Sequence, residues 1–80
     1  MRRICLVTGA TGALGPAVVD AFRAAGYRVR ALARRPAPQG LFAPDVEVIT
    51  GDILDRSTLT DVLAGVDIVI HLAALLQSCG

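Results

Sequence analysis

The stretch Leu6–Pro16, LVTGATGALGP, sets three glycines, two threonines and a proline behind a short apolar run. Glycine weakens a helix or strand interior by roughly 0.5–1 kcal/mol relative to alanine. Such a cluster is therefore either a plain tight turn or a place where something comes closer to the backbone than a Cβ permits. The flanks bear on the choice. Ile4, Cys5, Leu6 and Val7 form a continuous apolar run, as expected of a strand covered on both faces. After the glycines, Leu14, Ala17, Val18, Ala21, Phe22 and Ala25 recur at spacings of three and four, one stripe of an amphipathic helix, with Asp20 and Arg23 off the stripe. Pro16 lies near the helix start, where a missing N–H costs least, and Gly26 closes the helix.

Residues 27–33 predict a second strand, and RRPAPQGLFAP, with three of the four prolines, reads as a loop. Val46, Glu47, Val48 and Ile49 give a short third strand whose charge marks an edge position. DRSTLTDVLAG supplies a second helix, with Asp55 as a helix-entry residue, Ser57 or Thr58 as N-cap, Leu59, Val62 and Leu63 as its buried face, and Gly65 as its stop. A fourth strand runs from Ile68 to Leu72. Strands alternating with helices imply an α/β fold with a parallel sheet and right-handed crossovers, in the spatial order 3-2-1-4. The fourth strand would then be an apolar, unpaired edge, a hazard that further sheet would remove.

The totals bound the partners. Eighty residues make one small domain, which buries only about 60% of its unfolded surface. A hydrophobic fraction of 54% argues against disorder. The net charge of +1 gives no electrostatic case for nucleic acid or an anionic membrane, and with Phe22, Tyr27 and Phe42 as the only aromatics a base-stacking platform is not expected. The apolar run Ile4–Val7 is too short for a signal peptide, and VDIVIHLAALL is interrupted by Asp67 and His71, so a cytoplasmic chain is expected. Cys5 reads as a buried reduced thiol, and Cys79 has no obvious partner.

Gly9, Gly12 and Gly15 are spaced GxxGxxG between a strand and a helix. A helix N-terminus offers free N–H groups and a partial positive charge, which suits a phosphate. One glycine serves the tight turn, one the approach of a pyrophosphate, and one the close packing of helix on sheet. A P-loop is excluded, because the chain has no lysine to follow the turn.

TGATGALG resembles the glycine motif of the short-chain dehydrogenase/reductase superfamily, while GDILD and DIVIHLAA resemble third- and fourth-strand motifs of its extended branch, the NAD-dependent epimerase/dehydratase family. The resemblance spans Arg3 to about Leu76 and implies the N-terminal half of a doubly wound Rossmann fold that binds a nicotinamide dinucleotide. It assigns Thr8, Gly9, Thr11, Gly12, Ala13, Leu14 and Gly15 to the pyrophosphate turn, with Ala13 where the family often has an aromatic residue. Asp52 and Ile53 are assigned to the adenine, and Leu72, Ala73 and Ala74 to the segment under the ribose and nicotinamide side. His71 belongs to the strand motif and is read as structural.

The end of the second strand bears on the cofactor. An acid there would bind the ribose hydroxyls of NAD, whereas this chain has Ala33-Arg34-Arg35. An arginine pairs instead with the 2′-phosphate of NADP, so NADP is expected with Arg34 as the main contact, although NAD is possible and the two arginines also suit a solvated turn.

The superfamily's chemistry uses YxxxK, in which the lysine favours tyrosinate for acid–base work near neutral pH. Here Tyr27 is followed four residues later by Ala31, and the chain has no lysine. No catalytic residue and no metal site is assigned within residues 1–80. They read as a partial NAD(P)-binding domain without the catalytic and substrate-binding regions, inactive as an isolated chain. The parent is expected to be an oxidoreductase or a sugar-nucleotide epimerase/dehydratase. The alternative is a non-catalytic NADP-sensing module, which VRALARRP resembles in some superfamily members.

Overall fold

The structure is a computed structural model that describes residues 2–52 and 54–72. Its elements are β1 (Ile4–Thr8), α1 (Gly15–Ala24), β2 (Arg28–Ala33), β3 (Glu47–Thr50), α2 (Arg56–Leu63) and β4 (Ile68–His71). All three strand pairings are parallel, in the order β3-β2-β1-β4. The predicted 3-2-1-4 sheet is therefore the observed one.

The alternation of a pleated strand divides the core between two faces. Cys5, Val7, Val29 and Ala31 lie on the face covered by α1, where Ala10, Val19, Val46 and Leu72 complete the buried set. Leu6 and Leu32 lie on the other face, against Val62 of α2. Because β1 is central and covered on both sides, Cys5, Leu6 and Val7 are all fully buried. Burial pushes the Cys5 thiol above its ordinary pKa, in keeping with an inert core cysteine. Cys79 lies outside the described residues.

The helices depart from the sequence reading in detail. In α1 the buried line is Gly15 and Val19, flanked by half-buried Val18 and Phe22, whereas Leu14, Ala17, Ala21 and Ala25 are exposed. The expected stripe was one residue out of phase. Alanine packs on either side of a helix, so the contact of Gly15 with the sheet sets the rotation. The far end of α1 closes in a Schellman motif. Gly26 has φ +96°, its N–H donates to the Arg23 carbonyl at 3.0 Å, and the Tyr27 N–H donates to the Phe22 carbonyl at 3.1 Å. The Phe22 and Tyr27 rings meet edge-to-face, 5.4 Å apart, which supplies the apolar contact that accompanies this cap. In α2 the N-cap is Asp55, not Ser57 or Thr58, and Leu63 is 43% exposed, not buried.

One charged side chain joins three elements. Arg30 of β2 pairs with Glu47 of β3 at 3.0 Å, and its guanidinium donates to the carbonyls of Val62 at 2.7 Å and Ala64 at 3.0 Å. These carbonyls lie at the end of α2, where the helix dipole favours a cation. At the opposite edge, Asp67 accepts from the Ile4 N–H and donates its own N–H to the Ile4 carbonyl, aligning β4 with β1. Val69 on β4 is 47% exposed, so the apolar edge expected from the sequence is present.

Replacing Arg30 with methionine keeps the apolar stem and removes the carbonyl bonds. We expect a loss of about 2 kcal/mol, the range for hydrogen bonds to a charged group, measured by urea unfolding. A loss below about 0.5 kcal/mol would show that water replaces those bonds without cost.

Hydrogen bonds from the Ser57 hydroxyl and N–H hold the Asp55 carboxyl below its ordinary pKa. A group whose folded pKa is depressed stabilises the fold above its unfolded value, about 3.9 for Asp, and that contribution is lost as pH falls through the folded value. Wild-type stability should therefore fall as pH drops below about 4, and Asp55→Asn, which keeps an acceptor, should flatten that part of the profile. Identical profiles would contradict the assignment.

Candidate functional site

The C-terminal ends of the strands carry the site. β1 ends at Thr8, Gly9 turns the chain at φ +67°, and α1 begins six residues later. The positive φ is costly for any residue with a Cβ, which accounts for the first glycine. The turn is braced by two bonds, from the Gly12 N–H to the Gly9 carbonyl and from the Gly15 N–H to the Gly12 carbonyl, both 3.1 Å. The N–H groups of Thr11, Ala13 and Leu14 donate to no backbone carbonyl among the described residues.

Gly15 is required for a different reason. A Cβ built on it would lie 1.8 Å from the Ala10 carbonyl oxygen, far inside any permitted contact. Its absence lets α1 start directly against the turn. Pro16 is the second helical residue, Leu14 occupies the N-cap without a side-chain cap, and the first turn carries no acid. The helix N-terminus is thus open and uncompensated, as an anion site requires.

The turn and the arginine pair share one cavity of about 430 Å³, lined by Gly9, Thr11, Arg34 and Arg35. A hydrogen bond from the Ala10 N–H to the Leu32 carbonyl, 3.4 Å, holds the turn beside the end of β2. Arg34 and Arg35 are both exposed, and among the described residues neither forms a salt bridge, whereas Arg23 and Arg30 do. Two cations without carboxylate partners among the described residues therefore face the glycine turn.

Other predicted residues are placed differently. The Asp52 carboxylate accepts from the Leu54 N–H at 2.9 Å, closing an Asx-type turn after β3 on the same end of the sheet. Leu72 is buried in the core on the α1 face, and Ile53, Ala73 and Ala74 lie outside the described residues. Ala13 and Leu14 are exposed at the turn. Thr8 is only 2% exposed, and its hydroxyl is engaged with Nδ1 of His71 on the neighbouring strand. That pairing was not legible in the sequence, because only strand register aligns the two positions. Tyr27 precedes β2 and so lies at the opposite end of the sheet from the glycine turn.

Among the described residues there is no cluster of metal-ligating side chains and no helix long and apolar enough to cross a membrane.

With this geometry established, comparison with known proteins identifies the class. The sequence model of the NAD-dependent epimerase/dehydratase family matches residues 5–80. The chain belongs to that family. It is 44% identical over 73 residues to sterol demethylase protein B of Methylococcus capsulatus, covering 90% of this chain and 22% of the relative. Among solved structures, a short-chain dehydrogenase/reductase superfamily protein from Agrobacterium tumefaciens with bound NAD superposes with a TM-score of 0.72 at 38% identity, covering 86% of this chain and 20% of that one. An epimerase from Methanothermobacter thermautotrophicus superposes with a TM-score of 0.78 at 29% identity, covering 89% of this chain and 22% of that one. The fold is the Rossmann fold of these proteins. The chain spans between a fifth and a quarter of the length of the curated relatives it matches, 22% and 25% of the first two.

Gly15→Ala should cost at least about 3 kcal/mol, the upper range for overpacking, because the clash is with backbone that no rotamer change relieves. Thermal or urea unfolding measures it. A variant as stable as wild type would show that α1 and the turn can separate.

Proposed function

We propose that these residues bind a nicotinamide dinucleotide, with the diphosphate on the open amides of the glycine turn and the N-terminus of α1. The carrying observation is the single cavity that joins Gly9 and Thr11 to Arg34 and Arg35. Thr11, Ala13 and Leu14 supply N–H groups that donate to no backbone carbonyl among the described residues, and the helix dipole adds positive potential at the same place. Gly9, Gly12 and Gly15 shape the turn. Thr8 contributes backbone only, since its hydroxyl is committed to His71. The half-buried Asp52 lies beyond β3 on the adenine side, one of its oxygens being used in its own turn. Ile53 is assigned to the adenine, and Leu72, Ala73 and Ala74 to the strand end beneath the ribose and nicotinamide.

The preferred cofactor is NADP. Related structures were solved with NAD, but Ala33 stands where an acid would hold the ribose hydroxyls, and Arg34 and Arg35 follow it without carboxylate partners among the described residues. A guanidinium offers the 2′-phosphate a charge-assisted, bidentate contact. Arg34 is the main contact.

The parent activity we assign is that of an oxidoreductase or epimerase/dehydratase, in which the dinucleotide supplies or accepts a hydride. These residues bind and orient it. They do not supply the acid–base pair, because the chain has no lysine and Tyr27 lies at the far end of the sheet. Relatives named as ceramide reductase and 3-beta-hydroxysteroid dehydrogenase, 36% and 32% identical, favour the oxidoreductase reading.

Calorimetric titration tests the preference. NADP should bind more tightly than NAD, and Arg34→Ala should weaken NADP at least about tenfold, the loss of one charge-assisted hydrogen bond, while leaving NAD nearly unchanged. Tighter binding of NAD by the wild type would overturn the NADP assignment.

A further inference from the structure

Thr8 and His71 are register partners on the adjacent parallel strands β1 and β4, so their side chains project from the same face of the sheet. The Thr8 hydroxyl is buried and bonded to Nδ1 of His71, whereas the His71 side chain is otherwise exposed. This geometry selects a tautomer. A hydroxyl has one proton to donate, and leaving a buried donor unpaired costs more than leaving a lone pair unused. Among the described residues, Nδ1 of His71 is the only side-chain partner of the Thr8 hydroxyl. If Nδ1 carried the proton, Thr8 would accept and its own proton would lack that partner. With the proton on Nε2, Thr8 donates to Nδ1 and the buried donor is satisfied.

Position gives the pair a consequence. Thr8 immediately precedes Gly9, where the turn begins, and His71 ends β4 on the same edge of the sheet. Val69, two residues before His71 on the same face of β4, is exposed. Backbone pairing of β1 with β4 ends at these two residues, so the side-chain bond reinforces the strand contact immediately before the glycine turn.

We propose that Thr8 and His71 form a latch on the β4 side of the glycine turn: the Thr8 hydroxyl donates to Nδ1, fixes His71 as the Nε2–H tautomer, and holds the end of β4 against the origin of that turn. They are a positioning pair. The latch's role in binding rests on the dinucleotide reading above, whereas the tautomer does not depend on it.

Nitrogen-15 spectroscopy of the His71 ring in the full chain, with calorimetric titration of NADP, separates the two. In the neutral ring, wild type should show a protonated Nε2 and an unprotonated Nδ1. Thr8→Val, which keeps the shape and removes the hydroxyl, should lose that tautomer preference and bind NADP about tenfold more weakly, the equivalent of one buried hydrogen bond. Thr8→Ser should restore both, and His71→Asn, which places an amide near the Nδ1 position, should recover affinity relative to His71→Leu. Protonated Nδ1 in the neutral wild-type ring would overturn the latch, as would Thr8→Val with wild-type affinity for NADP. A wild type that shows the expected tautomer yet binds neither NADP nor NAD would overturn the dinucleotide reading, and the latch's role in binding with it.

Discussion

The backbone of Ala10 and the α-carbon of Gly15 approach so closely that no side chain fits between them. The rest of the site depends on that contact. It presses the first turn of α1 against the end of β1, sets the rotation that buries Val19 and half-buries Val18 and Phe22, and leaves an uncapped helix N-terminus open beside β2. With a larger residue at position 15, α1 would have to stand away from the turn. The glycine that appears wasteful for helix stability is what lets helix and turn form one surface.

Around this contact, charge is distributed with a clear division. Arg23 and Arg30 are spent on structure, the first with Asp45 and Asp20, the second with Glu47 and the end of α2. Arg34 and Arg35 are left facing the glycine turn. A cavity that joins the glycine turn to two guanidinium groups without carboxylate partners among the described residues suits a polyanion with more than one phosphate. The structural neighbours bind such a ligand in the same family of folds.

Much of the architecture was legible because each signal is local. Continuous apolar runs marked the central strand, Gly26 marked the end of α1, and the charge at Glu47 marked an edge. The glycine spacing pointed to the turn, and the absence of an acid after Leu32 pointed to the arginines. What was missed depends on contacts between distant residues. The phase of α1 was misjudged because alanines give both sides of the helix similar apolar character, and the clash limit at Gly15 decided between them. The N-cap of α2 went to Asp55 because its carboxylate reaches both the hydroxyl and the N–H of Ser57. The Arg30 tether and the Thr8–His71 pair follow from sheet register, and the latter residues are 63 positions apart.

Backbone amide spectra recorded during titration with NADP test whether the amides of the glycine turn grip the diphosphate of a nicotinamide dinucleotide. The largest shifts should fall on residues 9–15 and on Arg34 and Arg35. Shifts confined instead to the far end of the sheet, where Arg2, Arg3 and Tyr27 line a separate cavity of about 340 Å³, would contradict it.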